Sequence, residues 1–393
     1  MQAVILWGRT AAGDPQALAD KIMRLEERDR ERYLFDVPRH DIMLHGTSAL
    51  DYSLQAVLDS PAVGRPVALV GPADLEEKLA HRASQPKRRD REASLGNEDV
   101  VYVPQGAGRI SNVRLSWEAL GRPHHHLLII GGDAPLLQAE DISGMASYLS
   151  DGRTQRQDAI LPLVSYQTAR DYRPSERQYF WLKPYGLTKE TGILLLDLSH
   201  LDISGLEQVA EGTKVRDIRG LWESFRTAQG YFWERSPTIG DYLGCQSLTG
   251  QFFAYALLRP LLGSAQPAGV APTLQQLEHV LGMLTRPEQE DTTPARISMP
   301  LSRMRSAYRD MDSLEDALVL GLEIGVRLDP AYRVSSWGEA SSAVQLDGVA
   351  LIDRLGYSAR GKEEVYARLT DSRGPPGRII ATAGQHNAAV RAS

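Results

Sequence analysis

Asp133 belongs to the stretch His126-Leu127-Leu128-Ile129-Ile130-Gly131-Gly132-Asp133-Ala134-Pro135-Leu136-Leu137. The apolar run reads as a strand buried on both faces; the two glycines allow a tight turn, and Pro135 stops the strand. Open α/β sheets bind ligands at the carboxyl ends of their strands, and an acid there suits a divalent ion that in turn holds phosphates. The plainer reading is a cap for the following helix, near Glu140 and Asp141. Asp312, in Arg309-Asp310-Met311-Asp312-Ser313, stands at a second element boundary. One ion shared by two such distant carboxylates bridges the phosphates of a nucleoside triphosphate and neutralises charge on a departing pyrophosphate. Taken alone, Asp312 is also what a helix N-terminus favours through its macrodipole.

Other chemistries lack their residues. There is no Gly-x-Ser-x-Gly elbow, since Gly244-Cys245-Gln246-Ser247-Leu248-Thr249-Gly250 has the wrong spacing, and no Walker lysine loop. His124-His125-His126 are successive residues on a strand entry and face alternate ways, so they do not share one ion. Cys245 is the only cysteine, which excludes an intramolecular disulfide and cysteine-rich zinc sites. Lys and Arg number 44 against 50 Asp and Glu, and a net charge of -6 argues against nonspecific nucleic-acid binding. Met1 to Gly8 lacks the basic flank and long apolar core of a signal peptide, and no segment is long enough for a membrane span; a cytoplasmic chain is expected.

The elements that must position the two acids follow from periodicity. Strands are expected at Ala3–Leu6, Pro66–Val70, Val100–Val103, the Leu127–Ile130 run, Ala159–Val164 and Ile193–Leu196, with helices between them. Such alternation predicts a largely parallel sheet with helices on both sides. Ala3–Leu6 runs into Gly8 and Arg9, a turn of the kind that brings backbone N–H groups to phosphate. Pro104-Gln105-Gly106-Ala107-Gly108-Arg109-Ile110-Ser111-Asn112 reads as a loop passing close to a ligand. Residues 17–33 read as a charged, solvated helix inserted after the first turn. From about 205 to 290 the character is that of a helical lobe. Ser313 and Asp316 predict a helix start with Ser313 as N-cap and Asp316 at N3. The chain from Pro330 onward is less periodic, and residues 371–393 have the composition of a disordered tail.

Taken in order, these stretches resemble the molybdenum-cofactor nucleotidyltransferases (MobA-like) of the type-A glycosyltransferase and nucleotide-diphospho-sugar transferase superfamily, over roughly residues 1–325. Ala3-Val4-Ile5-Leu6-Trp7-Gly8 matches the opening strand and first glycine. Leu44-His45-Gly46 with Thr47 to Tyr52 resembles the Gly-x-Pro segment and its helix. Gly132-Asp133-Ala134-Pro135-Leu136-Leu137 is similar to the metal-binding strand end. Asp310-Met311-Asp312-Ser313-Leu314-Glu315-Asp316 resembles the closing Asp-x-Asp-x-Pro-Glu-Asp signature. The first loop departs from the family: one glycine of the usual pair remains, Arg9 stands for the loop arginine, and Arg39 or His40 falls at the lysine position. Thr188-Lys189-Glu190-Thr191 lacks the family's asparagine.

The resemblance implies an α/β three-layer sandwich with a mostly parallel mixed sheet. One domain would span 1–325, with the lobe at about 205–290 inserted, and 326–393 would form a C-terminal extension. It implies nucleotidyl transfer from a nucleoside triphosphate to a small phosphorylated acceptor, with Mg²⁺ held by Asp133 and Asp312. Arg9 and Arg39 would act at the phosphates. Gly8 would lie beside them, and Gln105, Gly106, Gly108 and Asn112 would read the base. Use of a nucleotide-sugar donor in glycosyl transfer, or nucleotide binding without turnover, is the alternative that the altered first loop leaves open.

Overall fold

A computed structural model describes residues 1–7, 42–72, 75–77, 99–106, 108–150, 157–165, 180–203, 226, 229–230, 232–236, 238–248, 250, 272–286, 294–302, 311 and 313–370. The chain begins with β1 (Gln2–Leu6), β2 (Ile42–Leu44), β3 (Thr47–Ser48), α1 (Ala49–Asp59), β4 (Gly64–Gly71) and β5 (Val100–Pro104). It continues through α2 (Arg109–Ala119), β6 (Leu127–Gly131), α3 (Ala139–Ser150), β7 (Ala159–Ile160), β8 (Leu163–Ser165), β9 (Phe180–Leu182), β10 (Gly186–Glu190) and β11 (Ile193–Leu196). After these come α4 (Leu274–Leu284), β12 (Ile297–Ser298), α5 (Leu314–Leu328) and α6 (Trp337–Ser342). The last elements are β13 (Val344–Leu346), β14 (Val349–Ala350), α7 (Leu351–Arg354) and α8 (Ala359–Thr370).

The main sheet has the order β5-β4-β1-β6-β11-β7-β12. All neighbours are parallel except that β11 runs against both β6 and β7. Successive side chains on a strand point to opposite faces, so each apolar run feeds two cores. Val4, Leu127 and Ile129 join Val113 of α2 and Leu277, Val280 and Met283 of α4 on one face. Ala3, Ile5, Leu128 and Ile130 join Leu50, Leu54 and Val57 of α1 and Ile142 and Met145 of α3 on the other. Helices therefore cover both faces, and the fold is a three-layer α/β sandwich around a mostly parallel mixed sheet.

The expected strand Ala159–Val164 is two strands in two sheets. Leu161 donates its N–H to the Ser298 carbonyl, but Pro162 has no N–H to extend the ladder, and its carbonyl accepts from Thr191 instead. β7 stays in the main sheet while β8 enters a small antiparallel sheet ordered β8-β10-β9.

A third sheet, β14-β13-β2-β3, joins distant parts of the chain: Leu44 pairs with Val344, and Met43 with Gln345. Both of its hairpins turn on two residues with positive φ, His45-Gly46 (51° and 80°) and Asp347-Gly348 (52° and 78°). That geometry matches the strand twist and favours glycine at the second position. The region beyond Pro330, which shows little periodicity, thus carries a hairpin and three helices. They pack on a cluster of Ile42, Leu44, Met311, Leu314, Leu318 and Leu322, among others.

The helix expected after Ser313 starts there: the Asp316 N–H donates to Ser313 Oγ at 3.1 Å, and the Ser313 N–H donates to Asp316 Oδ2 at 3.0 Å. The inserted helix expected at 17–33 lies outside the described residues, as does much of the lobe expected at 205–290. Residues 232–235 and 239–248 of that lobe are helical. No described helix is long and apolar enough to cross a membrane.

Candidate functional site

The chain builds outward from β1 to β4 and β5, then returns to lay β6 on the other side of β1. That reversal makes a topological switch point at the carboxyl ends of β1 and β6, the place where open α/β sheets bind ligands. Trp7 closes β1 and Gly131-Gly132-Asp133 closes β6. Trp7 donates its N–H to the Val70 carbonyl at 2.7 Å, and Gly132 donates to Leu6 at 3.0 Å. The Trp7 ring, 5 % exposed, lies flush on Gly132: a Cβ there would stand 2.1 Å from Trp7 Cε3. A Cβ on Gly131 would stand 2.8 Å from Asp133 Oδ1, so the carboxylate lies back against that glycine. Neither glycine has positive φ. The chain turns at Gly132–Asp133, as the sequence suggests, and the room left by the missing side chains is taken by a ring and a carboxylate.

Asp133 is half-buried. The first turn of α3 has its own acid, since the Gln138 N–H donates to Asp141 Oδ2 at 3.1 Å. The Ser53 hydroxyl lies 3.4 Å from the Gly132 carbonyl and 3.1 Å from that of Ala49, which ties α1 to the strand end.

The edge continues to the loop after β5. Gly71 packs against the Trp7 carbonyl, and Gln105 donates its N–H to Gly71 at 2.9 Å. Gly106 donates to Asn112 Oδ1 at 2.7 Å, and Gly108 donates to Ser111 Oγ at 2.9 Å. Asn112 is 5 % exposed. Its side-chain carbonyl is engaged by the backbone of Gly106. Gly106 has no room for a side chain, with Ser111 Oγ 2.8 Å and Leu115 Cδ1 3.0 Å from a Cβ.

On the other side of β6, Gly131 donates to the Gly192 carbonyl at 3.2 Å, bringing the Thr188–Gly192 segment to the same edge. Thr188 is fully buried in β10, and the Thr191 hydroxyl donates to Ile193 at 3.0 Å. Glu278 of α4 accepts from the Met299 N–H at 2.8 Å, and burial pushes its carboxyl above the ordinary range.

Gly8, Arg9, Arg39 and Asp312 lie outside the described residues. Their flanks are anchored. Trp7 leads into Gly8 and Arg9. Ile42 and Met311, each fully buried, adjoin the segments of Arg39 and Asp312, and both belong to one apolar cluster. Leu136, three residues past Asp133, packs on that same cluster. Sequence reasoning missed Trp7 and Ser53. An aromatic side chain at the end of a first buried strand, opposite a Gly-Gly pair, was the available signal for Trp7.

His126 Nε2 lies 2.7 Å from the Gln157 carbonyl, and burial, then the N-terminal ammonium, hold His125 below the usual imidazole range. Among the described residues no group of three His, Cys, Asp or Glu gathers to hold an ion.

The class is an α/β sandwich with a topological switch point between β1 and β6. No family model matches the sequence, and no curated protein matches it. Among solved structures the chain is similar to a hypothetical transferase from Thermus thermophilus, at 18 % identity and a TM-score of 0.42, over 80 % of this chain and 99 % of that one. It is also similar to the 4-diphosphocytidyl-2C-methyl-D-erythritol synthase of Anaerococcus prevotii, at 12 % identity and 0.31, over 50 % and 70 % of the two chains. A CMP:2-keto-3-deoxy-manno-octonic acid synthetase complexed with CTP matches at 11 % and 0.31, over 50 % and 73 %.

Proposed function

We propose that the chain is a metal-dependent nucleotidyltransferase. It moves a nucleoside monophosphate from a nucleoside triphosphate to a small phosphorylated acceptor and releases pyrophosphate. The observation that supports this reading is the run of contacts Gln105–Gly71–Trp7–Gly132, which links the end of β5 to the strand end that carries Asp133.

Magnesium needs few protein ligands when phosphates and water complete its shell, so one or two carboxylates fit it. Asp133 and Asp312 would hold it, and the ion would supply charge neutralisation on the phosphates. The chain's own residues orient the reactants. The loop from Gln105 to Asn112 holds the base through its fixed backbone, and Gly8, Arg9 and Arg39 steady the triphosphate. An acceptor phosphate oxygen attacks the α-phosphorus in line; the new P–O bond forms as the bond to pyrophosphate breaks. Positioning and preorganised charge account for the rate, with no protein nucleophile.

The test is incubation of the full chain with each α-labelled nucleoside triphosphate, Mg²⁺ and a panel of sugar phosphates. Pyrophosphate release with a labelled nucleotidyl product, abolished by Asp133→Asn, is the expected result. Turnover of a nucleotide-sugar to a nucleoside diphosphate, or binding with no turnover of any pair, overturns it.

A further inference from the structure

The β2–β3 hairpin turns on His45-Gly46 and the β13–β14 hairpin on Asp347-Gly348, with nearly the same pair of positive φ angles. Such a turn favours asparagine or aspartate before the glycine, and Asp347 follows that rule. His45 departs from it, and its ring makes a contact that neither of those shorter side chains would reach. His45 Nε2 lies 2.8 Å from the Gly321 carbonyl of α5. A carbonyl only accepts, so Nε2 carries the hydrogen; a helical carbonyl has a second lone pair for such a bond. The ring is steadied from two sides. The His45 backbone N–H donates to the Ala343 carbonyl at 3.0 Å, and the Tyr332 ring meets the imidazole at 84°, with 5.3 Å between centres.

This bond joins two segments that lead to residues of the proposed site. Arg39 stands three residues before β2, and Asp312 immediately before Ser313, the N-cap of α5. Gly321 is about two turns along that helix. The apolar cluster that includes Ile42, Leu44, Leu314 and Leu318 gathers helix and strand together. Apolar burial is non-directional, so it does not by itself fix how far α5 sits along β2. One donor aimed at one acceptor does. The helix is notched to allow the approach: a Cβ on Gly321 would stand 2.7 Å from Val344 Cγ2, and one on Gly325 would enter the Tyr332 ring. Tyr332, Ala343 and Val344 all lie in the chain beyond α5, so the C-terminal extension forms part of this clamp.

We propose that His45 is a positioning residue. Through Gly321 it sets the start of α5, and with it Asp312, against the strand that follows Arg39. Its consequence for turnover rests on the nucleotidyl-transfer reading, whereas the tie itself is open to test without substrate.

The test compares His45→Asn and His45→Gln in the full chain. Asparagine suits the turn but is too short to reach Gly321; glutamine keeps an N–H donor at a reach like that of Nε2. In His45→Asn the urea midpoint should stay near the wild-type value, because a preferred turn residue offsets a lost hydrogen bond. The Asp316 and Ala317 amides, which close the first turn of α5 on Ser313, should nonetheless exchange several-fold faster in the absence of ligand. Pyrophosphate release should fall by about 100-fold, the effect of a misplacement near 1 Å. His45→Gln should recover most of both. Asp347→Asn, the same swap in the other hairpin, should change none of the three. A role in the turn alone predicts the reverse, with His45→Asn at least equal to wild type throughout. The proposal is overturned if His45→Asn keeps wild-type exchange at Asp316 and Ala317, if it keeps wild-type turnover, or if His45→Gln behaves as His45→Asn does. A wild-type chain that releases no pyrophosphate, with faster exchange in His45→Asn, sinks the nucleotidyl-transfer reading and supports the tie.

Discussion

Substituting Gly132 by alanine tests whether close packing at the strand end positions Asp133. The new Cβ would sit 2.1 Å from Trp7 Cε3 and 2.9 Å from Cζ3. Carbon atoms rest comfortably at about 3.5 Å, so the ring and the strand end must part by about 1.4 Å. Trp7 is 5 % exposed, and its backbone is bonded to Val70, so the strain falls on both partners. Overpacking of this kind costs about 1–3 kcal/mol, visible as a lower urea midpoint at unchanged slope. Because Asp133 is the next residue, its carboxylate moves too, and a misplacement near 1 Å costs about 100-fold in turnover. Pyrophosphate release by Gly132→Ala should therefore fall far more than its stability does. Trp7→Leu should restore part of the stability in the Gly132→Ala background. The control is Gly144→Ala in α3, where a Cβ meets nothing within 4 Å. That change should stabilise by up to about 1 kcal/mol and leave turnover alone. If Gly132→Ala keeps wild-type midpoint and wild-type turnover, the account of the two glycines is wrong.

Asn112→Ala removes the acceptor for the Gly106 N–H and frees the loop; KM for the nucleoside triphosphate should rise several-fold more than kcat falls, as steady-state kinetics would reveal. Ser313→Ala removes the N-cap of α5, and chemical denaturation should register a loss of about 1 kcal/mol. Glu278, with its carboxyl raised by burial, binds more protons folded than unfolded, so its contribution to stability falls as pH rises from its ordinary value of 4.5 through the raised folded value. Thermal melts of Glu278→Gln should lack that component, and the variant should gain on the wild type over that window and not below it. Cys245 is 1 % exposed, with its thiol pushed up to about 11 by burial, so a thiol reagent at pH 8 should label it only after denaturant is added.

The doubly buried strands are legible because each needs an unbroken apolar run, as in Ala3 to Leu6 and Leu127 to Ile130. The start of α5 is legible because Ser313 and Asp316 carry their own hydrogen-bonding partners. The break at Pro162 is a matter of which sheet each half joins, and the run from Ala159 to Val164 gives no local sign of it beyond the proline. The pairing of residues 42–44 with 344–346 leaves no periodic trace, since three-residue strands are too short to have one. At the candidate site the element boundaries at Asp133 and Gln105 are readable. The reason for Gly131 and Gly132 is not, because it depends on a ring and a carboxylate that only the folded chain brings against them.

The pairing of Leu44 with Val344 also sets a clock on biosynthesis. At about 5–20 residues per second, a nascent chain completes position 44 some 15–60 s before position 344 exists. Throughout that interval the outer edge of the Ile42–Leu44 strand has no partner, and a strand edge in that condition is a template for other chains. The part of the molecule made first is thus left waiting for its last pieces, and its yield in a cell should depend on how well chaperones shield that one short edge until synthesis ends.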